Sequence, residues 1–90
     1  MSIVAIITRI MPDSPESDLE LIEKETTRIL KEKGARNISF TEEDVAFGLR
    51  AILAKFAWPE EKDTEIIEVS LASIEGVSSA KIEDYHRAFG

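Results

Sequence analysis

Asn37-Ile38-Ser39-Phe40-Thr41-Glu42-Glu43-Asp44-Val45-Ala46-Phe47-Gly48-Leu49-Arg50-Ala51-Ile52-Leu53-Ala54-Lys55-Phe56-Ala57-Trp58 is the stretch that decides the fold. Asn37 to Thr41 alternates polar and apolar with period two, Glu42-Glu43-Asp44 is a polar connection, and Phe47 to Trp58 is a long, mostly apolar run. Together they read as a β-hairpin. At its bend a large aromatic precedes a glycine, and a glycine leaves the neighbouring face bare so that another surface can approach Phe47. The same ring would also suit a cap on the core end of the sheet. Along the second strand both parities, Phe47-Leu49-Ala51-Leu53 and Gly48-Arg50-Ile52-Ala54-Phe56-Trp58, are largely apolar, so either face could be covered.

On the N-terminal side, Ile3 to Ile10 is rich in β-branched residues and reads as a strand stopping at Met11-Pro12, where proline removes the next ladder donor. Ser17-Asp18-Leu19-Glu20 reads as a capping box, with Ser17 at N-cap and Glu20 at N3. The helix it opens runs to about Lys33. Leu19, Ile22, Thr26, Ile29 and Leu30 form its inner stripe, Lys31 and Lys33 suit its C-terminus, and Gly34 is the C′ residue. On the C-terminal side, Pro59 to Asp63 is a charged loop and Thr64 an N-cap. Ile67, Leu71 and Ile74 fall at i, i+4 and i+7 of a second helix that ends at Gly76. Val77 to Tyr85 is a fourth strand with Val77, Ala80 and Ile82 inward, followed by a tail from His86 to Gly90.

The order β-α-β-β-α-β predicts an α+β, ferredoxin-like fold: a four-stranded antiparallel sheet with both helices on one face. Right-handed crossovers place strands one and three in the centre and strands four and two at the edges.

Size and charge restrict the function. Ninety residues are one domain, 1–90, with one core and no room for a deep site between lobes. Eighteen acidic residues against 11 basic ones, a formal charge of −7, oppose phosphate backbones and anionic lipid heads and favour a partner with a basic face. No direct nucleic-acid or membrane partner is expected. The absence of cysteine removes thiolate chemistry, disulfides and cysteine metal sites, and fits a reducing cytoplasm. The apolar opening is interrupted by Arg9, well short of the ~20 residues of a membrane span.

The chemistry this fold often hosts is missing. The loop after strand one, Met11-Pro12-Asp13-Ser14-Pro15, is acidic, whereas an acylphosphatase-like enzyme needs a glycine-rich, arginine-bearing phosphate cradle there. A metal chaperone would need Cys-x-x-Cys in the same loop. An RNA-recognition module needs stacking aromatics in a basic field, and strand one has none. The lone His86 has Arg87 beside it and no nucleophile near it in sequence, so it reads as a surface or interface residue. Glu42-Glu43-Asp44 and Glu60-Glu61-Lys62-Asp63 lack the spacing of a calcium loop, and Trp58-Pro59 reads as a packing and turn device. No catalytic residue, metal or cofactor is expected.

Four segments carry a resemblance. Ile10-Met11-Pro12-Asp13-Ser14-Pro15, Ser17-Asp18-Leu19-Glu20, Val45-Ala46-Phe47-Gly48-Leu49-Arg50 and Ser73-Ile74-Glu75-Gly76-Val77, with the opening strand and the length, resemble archaeal translation elongation factor 1-beta nearly end to end. The proline-bracketed loop and Ala-Phe-Gly-Leu are the specific parts. The resemblance implies the ferredoxin-like fold again, and a guanine-nucleotide exchange factor that promotes GDP release from the GTPase elongation factor 1-alpha. In eukaryotic relatives an aromatic of the matching segment enters the GTPase, and a C-terminal tail ending in a basic residue disturbs the magnesium site. Carried over, Phe47 is the wedge, flanked by Gly48 and Leu49. The tail departs from the pattern: Asp84-Tyr85-His86-Arg87 precedes Ala88-Phe89-Gly90 with no terminal lysine, leaving Arg87, helped by His86, for the electrostatic role. A cytoplasmic monomer is expected. The rivals are a ferredoxin-like regulatory or oligomerisation module, supported by the two apolar parities of strand three, and a small-anion hydrolase, opposed by the acidic loop.

Overall fold

A computed structural model of the chain describes residues 2–88. The elements are β1 (Ile3–Pro12), α1 (Leu19–Glu32), β2 (Arg36–Asp44), β3 (Arg50–Pro59), α2 (Glu65–Ala72) and β4 (Val77–Ala88), with a single tight turn at Ala46–Gly48. The sheet is antiparallel in the order β2-β3-β1-β4, the predicted ferredoxin-like arrangement.

Strand alternation sends every second residue to the same face. In β1 the buried residues are Val4, Ile6, Thr8, Ile10 and Pro12, and their β3 partners from Val4 to Ile10 are Trp58, Phe56, Ala54 and Ile52. Both helices lie on that face, contributing Ile22, Thr26 and Leu30 from α1 and Ile67 and Leu71 from α2, with Ile74 just beyond. Val77 and Ile82 of β4 pack against this core and Ala80 is within it, as their spacing predicts. Phe56 and Trp58 meet edge to face at 6.2 Å between centroids, and the indole N–H donates to the Lys62 carbonyl at 3.2 Å. Trp58 is therefore a packing residue with its one polar atom satisfied.

The opposite face is open, and one arginine straps it. From β1, Arg9 Nε lies 2.6 Å from Glu83 Oε2 on β4, while Nη2 reaches over β3 to Glu43 Oε1 on β2 at 2.5 Å. The network ties both edge strands to the centre, and Ala51, the β3 partner of Glu43, is buried although it stands on this face.

Several boundaries differ from expectation. Asp18, not Ser17, caps α1, its carboxylate accepting from the Leu21 N–H at 3.1 Å; the Ser17 hydroxyl instead donates to Asp13. Both residue types can cap, and Ser17 is already held in the preceding turn. At α2, Thr64 makes no side-chain cap, and Asp63 accepts the Glu65 N–H at 2.9 Å instead. That helix stops at Ala72, leaving Ile74 to Gly76 as a turn. β1 continues through Met11-Pro12, since a proline in the last rung leaves no required donor. Glu42-Glu43-Asp44 extends β2 rather than turning the chain, because Arg9 and Arg50 neutralise it: Arg50 Nε is 3.0 Å from Asp44 and Nη1 3.3 Å from Glu42. The bend therefore moves to Ala46–Gly48, and Phe47 leaves the strand predicted for it. β4 runs to Ala88, so His86 and Arg87 are strand residues rather than a tail; Phe89 and Gly90 lie outside the described residues.

Two polar sites in this framework lead to predictions. The Thr26 hydroxyl is buried but donates to the Ile22 carbonyl at 2.8 Å, whereas among the described residues the buried Thr8 Oγ1 has no partner. An unpaired buried hydroxyl costs ~1–3 kcal/mol. Thr8→Val keeps the branched shape, and is expected to stabilise the fold by about 1 kcal/mol, read as a higher urea midpoint at unchanged slope. Glu23 of α1 stands beside Glu42 of β2; burial first, then hydrogen bonding and charge repulsion from Glu42, push its carboxyl pKa up. A pKa higher in the folded state means stability is fully present below the unfolded value, ~4.3, and is lost as pH rises through the raised folded value. Glu23→Gln should therefore raise the thermal midpoint at pH 7 and change it little near pH 4.

Candidate partner interface

The hairpin tip owes its shape to four residues. The Leu49 N–H donates to the Ala46 carbonyl at 3.2 Å, closing a four-residue turn whose central residues, Phe47 (φ 63°, ψ 32°) and Gly48 (φ 77°), both have positive φ. This is the pattern of a type I′ turn, the hairpin bend whose twist matches the strands and which normally uses Asn-Gly or Asp-Gly. The Val45 N–H also donates to the Leu49 carbonyl at 2.9 Å, so two residues on the β2 side oppose Leu49, as in a bulge. Gly48 is at ease here. Phe47 is not, because a left-handed conformation costs an L-residue with a bulky side chain roughly 1–2 kcal/mol.

The conformation holds the phenyl ring outward. Phe47 is 92% exposed, the most exposed of the large apolar residues described. Gly48 leans toward the β1–α1 loop: a Cβ there would stand 3.8 Å from Pro15 Cβ. Leu49 is half-buried beneath the tip, and Arg50 is engaged by Glu42 and Asp44. The reading of Phe47 as a cap on the core is corrected: the ring makes no part of the core cluster.

His86 and Arg87 stand at the other end of the sheet. His86 pairs with Ala5 and Arg87 with Val4. Because Val4 faces the helices and Ala5 the open side, the two neighbours project to opposite faces. His86 Nδ1 lies 3.1 Å from Asp84 Oδ2, and Arg87 Nη2 lies 2.5 Å from Glu60 Oε2. Six rungs of β1 separate the Val4 level from the Ile10–Ile52 level, with the hairpin tip beyond, so Phe47 and Arg87 are about 30 Å apart along a molecule 41 Å long. The structure thus groups Phe47, Gly48 and Leu49 at one end and leaves His86 and Arg87 at the other, back to back.

A hollow of about 230 Å³ lies at the Val4–Ala5 end of the sheet, lined by Asn37, Ser39, Lys55 and Ala57 among others, and includes neither His86 nor Arg87. A groove of about 370 Å³ between α1 and the α2–β4 turn, lined by Leu21, Ile29 and Ser73 among others, includes none of these five residues. Among the described residues no three His, Asp or Glu side chains are placed to hold a metal ion, and no helix is long and apolar enough to cross a membrane. An exposed aromatic on a rigid, narrow tip is suited to entering a pocket on another macromolecule. Glu60 was not singled out by sequence; its contact with Arg87 joins residues 27 apart, and no local pattern announces it.

Comparison with known proteins gives the same direction. Residues 5–88 match the family described as EF-1 guanine nucleotide exchange domain. Elongation factor 1-beta of Methanospirillum hungatei is 41% identical over 83 residues, 91% of this chain and 93% of that protein. Elongation factor 1-beta of Methanothermobacter thermautotrophicus is 38% identical over 88 residues, 97% of this chain and 98% of the relative. That of Halobacterium salinarum is 36% identical over 88 residues, 97% and 99%. With these matches running end to end, the chain belongs to the EF-1 guanine nucleotide exchange domain family, alongside the archaeal elongation factor 1-beta proteins.

Proposed function

We propose that this protein, as a single cytoplasmic exchange domain and a monomer, promotes replacement of GDP by GTP on elongation factor 1-alpha during protein synthesis. The observation that carries the reading is the Phe47 ring, fully presented at the cost of a strained backbone in a family of exchange factors. Strain of this kind persists where the surroundings enforce it and is typical of ligand-contacting positions. No chemistry of its own is needed. An exchange factor binds the nucleotide-free GTPase more tightly than the GDP-bound form, and by linkage it weakens GDP binding by the same factor.

In this scheme Phe47 is the wedge, with Gly48 giving clearance and Leu49 supporting the turn from below. Arg87 supplies positive charge against the ligands of the partner's magnesium ion. The two contacts are about 30 Å apart, so the GTPase must meet this protein along its length or with two separated surfaces. His86 faces away from Arg87 and would contribute to a different part of the contact.

The test is release of fluorescent GDP from an archaeal elongation factor 1-alpha in excess unlabelled GDP. Acceleration by the unmodified protein is expected, and none at all with a competent GTPase would remove the reading and turn attention to self-association through the sheet. Phe47→Ala should lose at least tenfold in exchange efficiency, the scale of a buried aromatic anchor worth ~2 kcal/mol or more. Phe47→Gly separates strain from contact: it suits the type I′ position, so its thermal midpoint should match or exceed that of the unmodified protein while exchange falls as for alanine. Exchange retained in both variants would dismiss Phe47 as the wedge.

A further inference from the structure

We propose that Glu60 restrains Arg87, so that the Arg87–Glu60 ion pair must open before the guanidinium can act on a partner. The inference rests on the exchange reading given above. It starts from an asymmetry in how the two side chains are held. Arg87 stands near the end of edge strand β4 with 74% of its side chain exposed, whereas the Glu60 side chain is 27% exposed and projects from a braced loop.

Five contacts brace that loop. The Glu60 N–H donates to the Ser2 carbonyl at 3.0 Å, and the Lys62 N–H to the Pro59 carbonyl at 3.1 Å. The Lys62 carbonyl accepts the Trp58 indole N–H, and the Lys62 ammonium both donates to the Lys33 carbonyl at the end of α1 and lies 5.3 Å from the Trp58 ring centroid. The backbone carrying Glu60 is thereby tied to β1, to the core tryptophan and to α1. A carboxylate presented from so fixed a base holds the arginine at small entropic cost on its own side, and most of the lost freedom belongs to Arg87.

The consequence is competition. Arg87 can serve a magnesium-bound carboxylate or phosphate of a partner only by leaving Glu60, and an anionic partner group approaching Arg87 also meets the Glu60 charge. Glu60 is thus a positioning residue that acts through Arg87 and sets how readily the C-terminal end engages. The pair is exposed on the arginine side, which limits its strength to that of a surface ion pair, about two- to fivefold in an equilibrium constant.

The experiment is a double-mutant cycle on GDP release from elongation factor 1-alpha, using the unmodified protein, Glu60→Gln, Arg87→Ala and the double variant. Glutamine keeps the size of the side chain, and the contacts that brace the loop use backbone, Trp58 and Lys62 atoms but not the Glu60 carboxylate, so circular dichroism should be unchanged. Glu60→Gln is expected to lower the half-saturating concentration of the exchange factor about two- to fivefold, with a smaller effect on the maximal rate, and to have no effect once Arg87 is alanine. In the free protein, NMR should find rotation of the Arg87 guanidinium slowed, and released by Glu60→Gln. An unchanged or weakened exchange with Glu60→Gln, or the same gain in the Arg87→Ala background, would overturn the proposal while leaving exchange itself intact. No acceleration by the unmodified protein would instead defeat the exchange reading, and this proposal with it.

Discussion

The antiparallel register of β1 against β3 is the constraint on which the rest of the structure depends. Val4 opposite Trp58, Ile6 opposite Phe56, Thr8 opposite Ala54 and Ile10 opposite Ile52 place a continuous seam of apolar side chains under the two helices. A slip of β1 by one residue against β3 would turn its half of the seam to the open face and bring Ile7 and Arg9 inward, and the charged Arg9 would be buried against the helices. The seam thus fixes which face is covered and which is left open. It also fixes the direction in which β4, paired along the other edge of β1, carries His86 and Arg87.

The two ends of this rigid sheet are built differently. At the hairpin end a type I′ turn with phenylalanine where asparagine or glycine is usual stores strain and exposes an aromatic ring, a local rule broken within an otherwise consistent design. At the other end the charge of Arg87 is partly answered by a carboxylate from a braced loop. Acidic strands near the tip are tolerated because Arg9 and Arg50 sit among them. The shape that results is elongated, 41 Å long and about half as wide, with the exposed ring of Phe47 at one end.

Much of the fold was legible in the chain because its signals are local and redundant. The β-branched run Ile3–Ile10, the period-two run Asn37–Thr41, helical spacing at Ile67, Leu71 and Ile74, and Gly34 after the last turn of α1 each report their own element. Boundaries were less legible where two neighbours could do one job. Ser17 and Asp18 are both competent caps, and the choice fell to the residue not already bound in the turn. The acidic run 42–44 looked like a loop because its neutralising arginines come from β1 and from the far side of the bend.

The sequence by itself determined the order of elements, the inward residues of the two helices and of β4, the family resemblance and Phe47-Gly48 as the pair to watch, since each rests on residue type and short-range spacing. Only the tertiary structure decided that Phe47 sits on the bend rather than in the strand, that His86 and Arg87 project to opposite faces, and that Glu60 meets Arg87. Those facts depend on rungs between strands distant in sequence. A strand's alternation states which residues share a face, but only its pairing partner states which face that is.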